Sequence, residues 1–318
     1  NVALGYASMY SDTTSTNSIA IGSWALENNL GGISNVVVGT RAASQGSGLS
    51  DIVAIGDSAL MNNQKSGNVA IGSKAAFLNT SGEGLTALGM SALASNSTGS
   101  LNTAVGYGTL SSNDGGFGNT AMGYSAMIVN TAGNFNTAYG CQALWTNGAS
   151  HNNTAVGANA LLGNNSGDDN VAVGFASLSE NTTGRCNVAI GSVALAENKT
   201  ISNLVAVGDS ALYNNGIGAT AQEGTQNTAI GSKALFANTR GYLNTALGDQ
   251  AAYSTTTGHH LTAIGALALL NNEDGEYNTV VGVSSMAYNI SGSYNTALGN
   301  KALHFNQGGL YNTAVGSD

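Results

Sequence analysis

Among the 318 residues, four histidines, two cysteines, two acidic clusters, a spaced set of tyrosines and two blocks of threonines could carry chemistry. His151, His259, His260 and His304 form no metal-ligand spacing of the H-E-x-x-H kind and read as loop residues. Glu273-Asp274-Gly275-Glu276 and Asp168-Asp169 offer carboxylates to a cation. The G-G-x-G-x-D nonapeptide of calcium-binding rolls does not recur, so these clusters read as surface charge and no metal site is expected. No phosphate-cradling P-loop, G-x-S-x-G elbow or dinucleotide fingerprint is present. Catalysis needs unlike groups converging on one point, whereas this chain repeats one surface. The expectation is a protein that is not an enzyme and takes no cofactor.

Tyr277, Tyr294 and Tyr311 are 17 residues apart, and Phe135 holds the equivalent place earlier in the chain. At equal heights they predict an aromatic column that either contacts a glycan or merely covers a corner of the fold. Threonines at a second set of equivalent sites come in blocks, Thr86 to Thr154 and Thr228 to Thr313. An outward Thr ladder on a flat sheet would point to ice binding. Val or Ile elsewhere at the same site argues instead for a buried or half-buried row, with ice binding the lesser alternative.

These spacings come from a repeat. A glycine after a short β-prone run recurs from Gly5 to Gly316, and 16 of its 18 intervals are 17 residues long. One interval loses a residue near Lys65 and one gains six within 214–226, as loops do. The unit is N-T/V-A-V/I/L-G-x-x-A-L-x-x-N plus a glycine-rich closing stretch, seen almost intact in Asn102–Asn113. Glycine inside every unit costs about 1 kcal/mol in a helix, and no helical stripe survives the closing stretch. The chain is therefore read as all-β: a parallel β-solenoid (β-roll) of 19 coils with a 17-residue repeat, forming one domain over residues 1–318. Coils ~4.8 Å apart would make a rod of roughly 90 Å.

Counting from the consensus Asn, position two is β-branched in every copy, position three is Ala or Val, and position four is mostly aliphatic. Strand alternation puts two and four on one side and three on the other. The aliphatic pair is expected inside with the Leu of position nine, giving a core that includes Val105, Ile190, Ile230, Leu110 and Leu195. Small residues at positions three and eight, such as Ala25, Ala59, Ala126 and Ala234, are expected to face outward and pack between subunits. Asn at positions one and twelve is expected to turn the chain and form amide ladders. The ladder also accounts for the glycosylation-like sequons at Asn96, Asn181 and Asn289. Cys141 and Cys186 fall at different coil positions, too far apart to pair within the chain. They are expected to be free, or one to pair between chains.

Asn17–Gly22 (NSIAIG), followed by Ser23 and Ala25, resembles the head repeats of trimeric autotransporter adhesins, with NVVVG at Asn35 and NVAIG at Asn68 as variants. The NTAVG-type copies are similar to repeat arrays in bacterial and phage tail-fibre-like proteins. Repeats of the adhesin family are usually shorter than the 17 residues here. The resemblance implies a left-handed parallel β-roll, three chains side by side, and heads that bind host surfaces. With it, the expected role is an extracellular structural rod or fibre in surface adhesion, on a cell or virion surface. A phage or virion tail-fibre shaft and a head-to-tail polymerising surface filament are the alternatives. The expected partner is the chain itself, as a homotrimer or an axial assembly, with a glycan or cell-surface ligand as a second candidate. The chain begins inside a repeat, which reads as a mature or excised piece, and ends inside one too. A formal net charge of -9 disfavours nucleic acid, and no apolar run is long enough for membrane insertion.

Overall fold

A computed structural model describes residues 1–220 and 222–317. They form a parallel β-solenoid with no helix. The chain divides into two compact units, Asn1–Ala155 and Val156–Asp318, built from the same coil. In the first unit, three-residue strands from Val2–Leu4 to Thr137–Tyr139 stack in parallel, each on the one a repeat further along the chain. In the second, those from Val171–Val173 to Thr313–Val315 do the same. The short strand Thr154–Val156 falls at the division. Register is unaffected by the irregular intervals: Val53 pairs with Val69 across 16 residues, and Val205 with Thr228 across 23. The six extra residues stay in a loop, closed at its base by Asn215 donating to the Gly224 carbonyl at 3.0 Å. Within it the Glu223 carboxylate accepts the Thr220 N–H at 2.8 Å, and the backbone and hydroxyl of Thr220 hold its carboxyl below the ordinary range. Ala221 of this loop lies outside the described residues.

The chain closes a circuit in 17 residues because the backbone turns left-handed at fixed positions. Leu101, at position 17, and Leu110, at position nine, have φ of 57° and 52°. Position seven repeats this with side chains as varied as Trp24, Arg41 and Lys74. Left-handed backbone is costly for most residues. Coil-to-coil hydrogen bonding offsets that cost: Thr103 N–H to Asn119 O (2.8 Å), Gly106 N–H to Leu88 O (2.7 Å) and Leu110 N–H to Ala126 O (3.1 Å) bind one coil to both neighbours.

The strand alternation is as expected, but its sides are reversed. Position three is the inward row, with Ala20, Ala54, Ala104 and Ala189 fully buried. Ala25, Ala59, Ala126 and Ala234 at position eight are fully buried as well, so they line their own coil and cannot pack another subunit. Leu110 and Leu195 are core residues as expected. Val105 is only half-buried, and Ile190 and Ile230 are 39% and 38% exposed, so these three are not core. The cause is space. Inward side chains from the strand and from the segment after the glycine share one thin interior, and with a Leu from position nine already inside, Ala fits opposite. Position four points outward and tolerates Met122 and Tyr139, which no narrow interior would accept.

Two amide ladders seal the corners. At position twelve, the Asn113 Nδ2 donates to Asn96 Oδ1 (2.6 Å) and to Gly116 O (3.0 Å), while its Oδ1 accepts from Asn130 Nδ2 (2.6 Å). The same bonds link Asn79 with Asn96, and Asn272 with Asn289 and on to Asn306. At position one, Asn102 Oδ1 accepts the backbone N–H of Asn119 (2.9 Å), and the carbonyl of Gly116 takes the Asn102 amide (2.6 Å). Leu85 and Leu204 can replace Asn at this site because the preceding Asn bonds their backbone N–H rather than their side chains. The sequon residues Asn96, Asn181 and Asn289 are all fully buried in the position-twelve row. Thr255 interrupts that row: its hydroxyl and Asn238 Oδ1 are both buried without a partner. Thr255→Asn should restore the missing rung and raise the second unit's stability by about 1 kcal/mol in denaturant melts. An unchanged or lowered midpoint would refute the ladder as a source of stability.

Candidate functional site: an aromatic edge and an uncharged sheet face

Position 17 puts side chains on one edge of the second unit, held by the left-handed backbone and by bonds such as Tyr294 N–H to Glu276 O at 3.0 Å. Tyr277, Tyr294 and Tyr311 stack there as expected, with ring centroids 4.9 and 5.1 Å apart and planes within 7° and 16°. The column extends further than its tyrosines. His260 stacks on Tyr277 at 4.6 Å, and beside it His259 stacks on Tyr242 at 4.6 Å. His259 also reaches Glu276 (Nε2 to Oε1, 3.1 Å) and approaches His260 (Nδ1 to Nδ1, 2.9 Å). These two histidines are members of the edge, not isolated loop residues. Lost hydration between its neighbours raises the Tyr294 phenol above its ordinary pKa, and Tyr277, Tyr311 and Glu276 add to the shift. Tyr277 and Tyr294 each have a ring on both faces, so they present edges and hydroxyls to solvent and no open face for a sugar ring.

Further stacks go beyond the column expected from the sequence. Tyr213, Phe236 and Tyr253 form a second column at 5.5 and 5.2 Å, and Tyr107 lies on Tyr124 at 5.6 Å. Equal coil position is the signal for them, masked for Tyr213 and Phe236 by the 23-residue interval. Phe117 and Phe135, at adjacent positions 16 and 17, meet edge to face at 5.4 Å instead of stacking.

The second feature is the outward face of the strands. Positions two and four carry Val, Ile, Leu, Thr, Met and Tyr in the described coils and no charged residue. Threonines at position two are half-buried or exposed, so the Thr blocks do lie on an outward row. Ile71, Leu247 and Leu298 at position four are 40%, 43% and 37% exposed.

Asp168 pairs with Arg185 at 3.6 Å. His304 Nδ1 lies 2.7 Å from the Ser284 carbonyl oxygen. Among the described residues no group of three or more His, Cys, Asp or Glu is placed to hold a metal ion. Cys141 and Cys186 are free thiols on the surface. Among the described residues no helix is long and apolar enough to cross a membrane. No family model, curated protein or solved structure matches the chain.

Proposed function

We propose that the chain is a segment of a stiff, non-enzymatic fibre working in adhesion at an extracellular surface, cellular or viral, and that copies associate side by side through the outward strand face. The observation that carries this reading is the uncharged, half-apolar face repeated on strand after strand in both units. Monomeric soluble proteins rarely expose a contiguous apolar patch larger than a few hundred Å². A second copy is the fitting occupant, because its rows repeat at the same spacing and stay in step along the contact. A homotrimer is the arrangement that the sequence resemblance favours. Backbone and Asn ladders running from coil to coil supply stiffness, and a repeated surface turns weak contacts into avidity.

Light scattering on the chain at micromolar concentration tests the assembly. The parent should have the mass of a trimer, and Ile71→Lys with Ile230→Lys should yield monomers, because burying an uncompensated ammonium weakens association at least ~100-fold. A monomeric parent would refute the assembly. The outward threonines favour one second reading, ice binding by the same face. A monomeric parent that shapes growing ice crystals would put that reading in its place.

A further inference from the structure

The insertion loop is the one place where the repeat is broken by added residues, and it borders a groove of about 390 Å³ lined by Asn203, Gln222, Thr225, Gln226, Tyr242 and Leu243. We infer that this groove binds a neutral hexopyranose, with the sugar ring stacked on Tyr242. The inference deepens the adhesive reading above and rests on it for its purpose.

Three observations converge. Tyr242 heads the aromatic edge: His259 covers one of its faces at 4.6 Å, and the preceding coil offers Thr225 and Gln226 where a ring would otherwise continue the stack. Among the described residues no second ring stacks on the half-buried Tyr242, which borders the groove, whereas Tyr277 and Tyr294 have a ring on both faces. Second, the side-chain amides of Asn203, Gln222 and Gln226 form no hydrogen bond among the described residues, whereas the asparagines of the coil corners are buried and bonded. Amides both donate and accept, as sugar hydroxyls do, so amides set beside an aromatic ring in one groove match a pyranose with its apolar C–H face and equatorial hydroxyls. Third, among the described residues no charged side chain lines the groove, which selects against phosphates and acidic sugars. The six added residues bring Gln222 to the rim, and an uninterrupted 17-residue coil has no counterpart for it.

Saturation-transfer NMR on the full chain with methyl glycosides of glucose, galactose, mannose and N-acetylglucosamine tests this. At least one should bind with Kd on the order of 1 mM, the affinity expected for a ligand of about a dozen heavy atoms. Tyr242→Ala should abolish transfer and Tyr242→Phe should keep it. Gln226→Ala should weaken binding about 3- to 10-fold without disturbing the fold. Tyr311→Ala, at the far end of the edge, should change nothing. Absence of transfer from every glycoside at tens of millimolar, or transfer lost with Tyr311→Ala and kept with Tyr242→Ala, would overturn the inference. Failure of the fibre reading shows separately as a monomeric mass in light scattering, with sugar binding intact.

Discussion

Asn113→Asp is expected to lower the stability of the first unit by about 4 kcal/mol at neutral pH, although the two side chains have nearly the same shape. Asn113 is fully buried and spends both amide hydrogens, one on Asn96 Oδ1 and one on Gly116 O. A carboxylate keeps the acceptor that serves Asn130 but leaves two buried acceptors unmatched, each costing about 1–3 kcal/mol, and sets a charge against them. The variant also carries a pH signature. Burial and two facing oxygens raise the folded pKa of the new carboxyl above its unfolded value of about 3.9. The ionisation part of the penalty is therefore absent below that unfolded value and grows as pH rises towards the folded one. Denaturant melts at pH 7 and pH 4 should show the gap to the parent narrowing in acid, where the protonated carboxyl regains one donor. A loss under about 1 kcal/mol, or one indifferent to pH, would show that the ladder contributes little.

Gly106→Ala should cost roughly 3 kcal/mol or more, as should the same change at the other position-five glycines that have a coil beyond them. Gly106 has φ of +129°, and an added Cβ would sit 2.5 Å from the carbonyl oxygen of Gly123 on the next coil. That oxygen belongs to backbone and cannot move without opening the stack, so steric overlap adds to the conformational cost. Gly108→Ala is the control. It too has positive φ, but its Cβ would meet only the Ser125 hydroxyl at 3.5 Å, and Ala7 and Ala176 occupy the same coil position. Its change should stay within about 1 kcal/mol, and equal losses for the two variants would refute close coil approach as the reason for the position-five glycine.

Much of the candidate site is legible in residue spacing alone. Equal spacing of Tyr277, Tyr294 and Tyr311 places them at equal heights, because a side chain at a fixed coil position has one location per turn. The histidines are harder to place, since His259 and His260 join the edge through neighbours on two coil positions, and type alone does not reveal a stacking partner. The groove beside Tyr242 is illegible in the sequence: it needs the path of the inserted loop, which follows no repeat.

Periodicity, and all that follows from it, is written in the order of the residues: parallel three-residue strands, their alternation, the Asn corners and the loop fate of the insertion. Each is local or depends only on a residue's phase within 17. Which side of the strand lies inside is a property of the closed coil. Hydrophobicity argues for Val105, Ile190 and Ile230 in the core, but the interior that a short coil encloses is too thin for them, and Ala104, Ala189 and Ala229 fill it. The deciding quantity is the distance between opposite walls of one coil, and no residue's own character contains it.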